Sequence, residues 1–185
     1  MNRRQRRRRV RLIRAALIGP PLVLVCCGAI GLAISPVHRE ETSRIYASSP
    51  ETVWRALTDL DGMPAWRQDL VALERLPRSD GLVRWRELGL TGRPVAYQWT
   101  EAIPNARLVV QTVPSTTSRL RWEYRIRSLE AGTELSVIEE RAIRNPIVRT
   151  FVKVFGSDRD RIEALARDLA VRLSGHRQRI AAAHD

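Results

Sequence analysis

Residues 48–66 read SSPETVWRALTDLDGMPAW, and this stretch decides the fold. Ser49 followed by Pro50 predicts a helix start, because a capping hydroxyl and a proline at the first helical position both suit a helix N-terminus. The letters ETVWRALTDL then place apolar residues at helical spacing. Gly62 and Pro64 break this helix before a second short helical turn. The stretch therefore predicts two short helices in succession.

On both sides of this stretch, apolar and polar residues alternate with a period of two, which is typical of strands. The segment SRIYASS, which begins at Ser43, comes before it. Six further segments come after it, and they read LVALERLP, GLVRWREL, RPVAYQWTEA, ARLVVQTV, SRLRWEYRIRSLE and TELSVIEERAI. Glycines and a proline separate most of these segments, so the pattern predicts an antiparallel meander with one covered face.

The cover for that face follows in the sequence at residues 144–175. Asn145 and Pro146 predict a helix start, Gly156 a kink and Gly175 the helix end. The apolar residues recur at steps that keep them on one stripe of a helix. They are Phe151, Phe155, Ile162, Leu165, Leu169 and Leu173. We therefore expect one long amphipathic helix packed on the sheet.

The predicted order of elements is a strand, two short helices, six strands and a long helix. This order resembles the SRPBCC superfamily, also called START-like or helix-grip. The resemblance is closest to its polyketide cyclase/dehydrase-like branch and spans about residues 41–175. It is carried by SSPETVWRALTDLDGMPAW, GLVRWREL, GTELSVIEE and RNPIVRTFVKVFG. It implies an α+β fold in which a curved antiparallel sheet of about seven strands wraps on the C-terminal helix. It also implies an apolar cavity between sheet and helix that takes hydrophobic ligands.

If that cavity is present, the alternation of the strands nominates its lining, with two further rings from the long helix. Each of these side chains could instead be ordinary core filling, as large aromatic residues often are. The predicted ligand-binding residues are Val83, Trp85, Tyr97, Trp99, Trp122, Tyr124, Ile126, Phe151 and Phe155.

Two carboxylates are weak catalytic candidates, because Glu87 and Glu139 share strand faces with apolar residues. A carboxyl group inside an apolar groove has a raised pKa and can act as a general acid or base. Alternatively, both acids lie at the rim and pair with arginines. The sequence contains no catalytic signature that we would assign to either residue.

Other chemistries lack their usual parts in the sequence. Cys26 and Cys27 are the only cysteines, and His38, His176 and His184 are scattered. HExxH, GxSxG, Walker and GxGxxG motifs are absent from the sequence. We therefore expect no metal and no cofactor.

The net charge of +12 belongs mainly to the N-terminal part of the chain. Nine arginines and no acidic residue occur up to Arg39, whereas the remainder has 23 basic and 20 acidic residues. The body thus has no broad cationic face, and we expect no nucleic-acid partner. Of the 32 basic residues only Lys153 is not arginine, a bias that suggests a GC-rich bacterial genome.

Residues 15–34 carry no charge over twenty positions, about the length that a helix needs to cross a bilayer. Eight arginines precede this segment, so the positive-inside rule predicts a cytoplasmic N-terminus and an extracytoplasmic body. A cleaved signal peptide, a lipoprotein signal, a twin-arginine signal and a nucleic-acid-binding arm are the alternatives. We expect a single-pass anchor in a bacterial cell membrane.

The predicted organisation has five parts. They are an arginine-rich cytoplasmic tail (1–14), a transmembrane anchor (15–35), a linker (36–42), a START-like domain (43–175) and a C-terminal tail (176–185). The predicted function is non-catalytic binding of a hydrophobic small molecule or lipid beside the membrane. The alternatives are a polyketide cyclase or dehydratase that uses a cavity carboxylate, and an interaction module without a ligand.

Overall fold

The computed structural model describes residues 20–21, 23–90, 92–113, 118–155 and 158–182. The predicted arginine-rich tail and the first five residues of the predicted anchor lie outside these ranges. Among the described residues, no helix is long and apolar enough to span a membrane.

The chain divides into two compact units. The first unit takes in the chain up to Val37 together with Ile143–Gly156. It contains helix α1, described at residues 20–21 and 23–33, and helix α3 (Pro146–Phe155). The second unit, formed by His38–Ala142 and the chain from Ser157 onward, contains the sheet and the other helices.

The second unit is built on a seven-stranded sheet in the order β1-β7-β6-β5-β4-β3-β2. Strands β2 to β6 form a consecutive antiparallel meander, as the sequence predicts. β1 begins at Val37, inside the segment predicted as a linker, and lies at the edge beside β7. The strands are β1 (Val37–Tyr46), β2 (Leu70–Ser79), β3 (Leu82–Gly89), β4 (Pro94–Ile103), β5 (Arg107–Thr112), β6 (Ser118–Leu129) and β7 (Gly132–Ile143).

The two predicted short helices follow β1. Helix α2 (Pro50–Thr58) begins at Ser49, whose hydroxyl accepts a hydrogen bond from the N–H of Thr52 at 3.3 Å. The 3₁₀ helix η1 (Met63–Ala65) comes next. The Asp59 carboxylate joins the two, because it accepts from the N–H of Gly62 at 3.1 Å.

Helix α4 (Asp158–Ala182) packs against the sheet and completes the core. Its buried Ile162, Leu169 and Leu173 join Trp85, Leu108 and Leu135 of the sheet in one cluster. The Tyr46 hydroxyl at the end of β1 donates to the carbonyl oxygen of Ala166 at 3.0 Å. Sheet and helix together form the expected α+β helix-grip arrangement.

The C-terminal helical region comprises helices α3 and α4. Gly156, where the sequence predicts a kink, lies between them and outside the described residues. In contrast to the sequence prediction, α4 continues to Ala182 instead of ending at Gly175. A helical glycine costs only about 1 kcal/mol relative to alanine, and the Arg, Gln, Ile and Ala residues that follow accept helical geometry.

Candidate functional site: an aromatic cavity with charged groups

A cavity of about 320 Å³ opens in the second unit between the sheet and α4. Strands β3 to β6, the residues after η1 and helix α4 contribute its wall. Six aromatic side chains dominate that wall, and they are Trp66, Trp85, Tyr97, Trp99, Trp122 and Tyr124. Aliphatic residues such as Leu108, Val110 and Leu165 fill the spaces between them.

The aromatic rings hold each other in place through strand geometry. Trp85 of β3 is the register partner of Tyr97 of β4, and their rings stack at 5.8 Å. Trp99 meets the Trp85 ring edge-on at 6.0 Å. On β6, Trp122 and Tyr124 are two residues apart on one face and stack at 6.2 Å. Such contacts give the cavity a rigid wall.

Arg67 brings a charge into this apolar wall. Its guanidinium donates to both carboxylate oxygens of Asp69, at 3.1 and 2.8 Å, and to Oε1 of Glu87 at 2.9 Å. Burial by itself lowers the pKa of Arg67, but the hydrogen bonds to Asp69 and the charge of Glu87 outweigh it and raise the pKa. Arg67 therefore stays a cation in the cavity wall.

Glu87 is fixed from two sides. Its Oε1 atom accepts from Arg67 and also from the indole N–H of Trp85 at 2.9 Å. The carboxylate side chain is 11% exposed. This pairing makes Glu87 a positioning group for Trp85 and Arg67. Because both bonds occupy its Oε1 atom, Glu87 is also less able to accept a proton from a substrate.

The loop that carries Arg67 is tied to α4. The main-chain N–H of Gln68 donates to the buried Asp168 carboxylate at 2.9 Å. Because this bond joins the loop before β2 to the helix on the opposite side of the cavity, it fixes where the Arg67 side chain enters.

Arg161 of α4 supplies a second cation to the wall. Its guanidinium lies 5.9 Å from the centre of the Trp122 ring, a cation–π arrangement. It also pairs with Glu139, which is 2% exposed and accepts from Arg141 at 3.3 Å as well. Glu139 is therefore buried and not at a rim, and arginines neutralise its charge.

The tyrosines of the cavity stay protonated at ordinary pH. Burial and the neighbouring Glu87 charge raise the pKa of Tyr97 to about 12. Burial also raises the pKa of Tyr124. Both hydroxyl groups can thus serve as hydrogen-bond donors to a ligand.

Five of the nine predicted cavity residues line this space, namely Trp85, Tyr97, Trp99, Trp122 and Tyr124. Val83 and Ile126 instead pack in the adjoining core. Phe151 is 53% exposed on α3 of the first unit. The side chain of Phe155 lies outside the described residues.

Except for Glu87, the charged residues of the wall were not predicted from the sequence. Arg67, Asp69, Arg93 and Arg161 all line the cavity, as does the predicted Glu87. The sequence contains one usable signal, the run WRQD at residues 66–69, which places a ring and two opposite charges directly after η1. Arg161 had no comparable signal, because only the packing of α4 brings it to Trp122.

The described residues contain no group of three or more histidine, cysteine, aspartate or glutamate side chains placed to hold a metal ion. The polar groups of the cavity are instead arginines, tyrosines and paired carboxylates. This arrangement can surround an apolar molecule and donate hydrogen bonds to its polar atoms.

A curved antiparallel sheet closed by a C-terminal helix over a cavity defines the helix-grip, or START-like, class of proteins. Residues 38–173 match the family model for polyketide cyclase / dehydrase and lipid transport. The chain therefore belongs to this family, a branch of the SRPBCC superfamily. No curated protein matches the chain.

Solved structures agree on the fold. A Thermus thermophilus protein superposes with a TM-score of 0.64 at 18% identity, over 75% of this chain and 99% of that one. A Streptomyces aromatase/cyclase gives 0.61 at 15% identity, over 75% and 94%. A START superfamily protein of Mycobacterium smegmatis gives 0.57 at 17% identity, over 75% and 98%. At these identities the likeness concerns the fold alone.

Proposed function

We propose that this protein binds a hydrophobic small molecule or lipid in the aromatic cavity and is anchored in a bacterial cell membrane by its N-terminal segment. The observation that carries the binding function is the cavity itself, which has six aromatic rings and three arginines in its wall. Family membership agrees with it, because the family description includes lipid transport.

The polarity of the wall indicates what kind of ligand fits. The rings of Trp85, Trp99 and Trp122 offer apolar surface, whereas Arg67 and Arg161 offer cationic donors. A ligand with an extended apolar body and an oxygen-rich or anionic end satisfies both parts. A pure hydrocarbon offers no hydrogen-bond acceptor, so the arginines would remain bonded to carboxylates of the protein.

Binding is favoured over catalysis by the state of the two carboxylates. Glu87 is bonded to Arg67 and Trp85, and Glu139 is bonded to Arg161 and Arg141. A general base needs a lone pair that can reach the substrate, and these partners compete for it. The cyclase or dehydratase alternative requires Glu87 to leave its partners.

Membrane anchoring is supported by the sequence. Eight arginines precede the uncharged residues 15–34, and only Arg39 follows closely. This asymmetry predicts a cytoplasmic N-terminus and a ligand-binding unit on the extracytoplasmic side.

The binding function can be tested by native mass spectrometry of the full chain purified in mild detergent. A co-purified small molecule should appear as a mass increment on the wild-type protein. Trp99→Ala removes a ring from the cavity wall and should reduce the bound fraction. Trp54→Ala is the matched control, because Trp54 is also partly buried and packs on the core but does not line the cavity.

Equal loss of ligand in both tryptophan variants, or no bound mass in the wild type, would contradict the proposal. Glu87→Gln separates binding from catalysis. If the variant keeps the ligand in an unchanged chemical form, the binder stands. Accumulation of a different, less dehydrated compound on the variant would favour the enzyme alternative.

A further inference from the structure

Helices α1 and α3 of the first unit are joined by contacts of their main chains. The Thr150 hydroxyl of α3 donates to the carbonyl oxygen of Cys27 in α1 at 2.7 Å. A Cβ atom at Gly31 would lie 1.8 Å from the carbonyl oxygen of Pro146, so only glycine permits this approach. α3 is thus held directly on the C-terminal part of α1.

Arg149 is occupied entirely by carbonyl oxygens of the same unit. One guanidinium nitrogen donates to Gly31 at 2.9 Å and Ile34 at 3.0 Å, at the end of α1. The others donate to Ile143 and Arg144, each at 3.0 Å. A cation at a helix C-terminus is favourable, and here it also satisfies carbonyl groups that would otherwise need water.

Most of the other exposed side chains of these helices are apolar, with Lys153 an exception. Val148, Phe151 and Val154 recur every three residues along α3 and are 44%, 53% and 64% exposed. In α1, Val25 is 68% and Leu32 is 72% exposed. Among the described residues, nine of the fifteen large hydrophobic side chains that are exposed belong to this small unit.

We propose that α3 is a second membrane-contacting element, which lays Val148, Phe151 and Val154 into the outer boundary of the same bilayer that α1 enters. The occupant of this face is lipid because α3 is hydrogen-bonded to the C-terminal part of the uncharged N-terminal segment, at Cys27 and Ile34. Its polar side chains Thr150 and Arg149 find partners inside the unit, as a helix beside hydrocarbon requires.

This inference rests on the proposed membrane anchor but is independent of the ligand in the cavity. In this arrangement the unit is a helical pair in which α1 continues into the membrane and α3 packs against the outer part of α1. An amphipathic helix in that position has its apolar side chains at the acyl boundary and its basic side chain, Lys153, at the headgroups.

The test uses single-cysteine variants of the full chain with Cys26 and Cys27 replaced by alanine. Each variant is labelled with an environment-sensitive fluorophore and reconstituted into liposomes of phosphatidylethanolamine and phosphatidylglycerol. Val154→Cys reports on the apolar face of α3, and Lys153→Cys is the matched control on the neighbouring face. Val25→Cys reports on α1, and Val171→Cys reports on an exposed residue of the second unit.

We expect blue-shifted emission and quenching by bromine-labelled acyl chains at positions 154 and 25. At positions 153 and 171 we expect red emission that aqueous iodide quenches. If position 25 reports lipid and position 154 reports water, the inference on α3 is wrong and the anchor stands. If position 25 reports water, the anchor is wrong, and a lipid signal at position 154 alone would then establish α3 as a peripheral contact. Circular dichroism melts of the labelled variants verify that each is folded.

Discussion

Glu123 lies on the face of β6 opposite to Trp122 and Tyr124, yet it is only 3% exposed. The alternation of this strand predicts a charged face in contact with water. Glu123 differs because three arginines cover it, with Arg125, Arg121 and Arg107 at 2.8, 2.9 and 3.0 Å from its oxygens. Burial raises the pKa of this carboxyl, but these hydrogen bonds outweigh it and lower the pKa to about 2.

Glu123→Gln should therefore destabilise the fold at neutral pH and remove part of its acid sensitivity. The native pKa of about 2 is below the ordinary value of 4.5, so ionised Glu123 stabilises the fold above pH 4.5. That contribution disappears as the pH falls from 4.5 to about 2. We expect a loss of about 1–2 kcal/mol at pH 7, because the half-exposed arginines are partly screened by solvent. Urea unfolding at several pH values measures it.

Glu134→Gln is the control for this experiment. Glu134 forms one ion pair with Arg127, whose side chain is 72% exposed. We expect a change below about 0.5 kcal/mol at every pH. Equal pH dependence in both variants would show that the arginine cluster does not set the acid stability.

At the scale of elements, two glycine turns differ in how strictly they need glycine. Gly81 joins β2 to β3 with a φ of +77° and has no atom within 4 Å of a would-be Cβ. Gly132 begins β7 with a φ of +135°, and its Cβ would lie 2.2 Å from the carbonyl oxygen of Tyr46. The β7 start thus lies directly against the end of β1, where Thr133 also donates to the carbonyl oxygen of Ser48 at 2.6 Å.

Gly132→Ala should cost about 3 kcal/mol or more, because it combines a disfavoured backbone conformation with a clash against main chain. Gly81→Ala should cost only about 1–2 kcal/mol, the conformational part alone. Thermal melts of the two variants compare them directly. Equal destabilisation by the two substitutions would mean that β1 shifts at little cost to make room for a Cβ atom at the start of β7.

The six strands after the two short helices were predictable to within a few residues, because each strand has its own alternating pattern and its own turn. β1 is the exception, since it begins at Val37, six residues before the predicted Ser43. Helix ends were less predictable. Gly175 suggests a C-terminal stop, but a glycine ends a helix only where the chain adopts a left-handed turn, and α4 instead continues through Gly175 to Ala182.

At the scale of the whole molecule, the arginine-rich start predicts the orientation of the chain in a membrane. A reporter that is active only after export, fused behind Asp185, should be active in a bacterial host. A reporter that is active only in the cytoplasm should be inactive in the same position. The reason is that the positive-inside rule predicts a cytoplasmic N-terminus for an uncharged segment preceded by eight arginines.

Exchange of the eight N-terminal arginines for glutamine is the control for this topology, and it should lower export activity by removing the charge asymmetry. The opposite reporter pattern in the wild-type chain would contradict the orientation. A mature N-terminus near Ser35 would show instead that the segment is a cleaved signal.

The sequence by itself determined the fold class, the order of the elements and five aromatic residues of the cavity wall. It could do so because helix caps, turns and strand alternation are local, and alternation assigns each side chain to one face of a sheet. Trp85, Tyr97, Trp99, Trp122 and Tyr124 all follow from that rule.

Only the tertiary structure decided the electrostatics of the site and the assignment of α3 and α4 to different compact units. Arg67 bonds to Glu87, which lies twenty residues further along the chain and is also the partner of Trp85. Arg161 bonds to Glu139, which lies 22 residues before it. No local pattern records such pairs, because their distances depend on how sheet and helix pack. For the same reason Phe151, which shares a helical stripe with Leu165 in sequence, belongs to a different unit from the cavity.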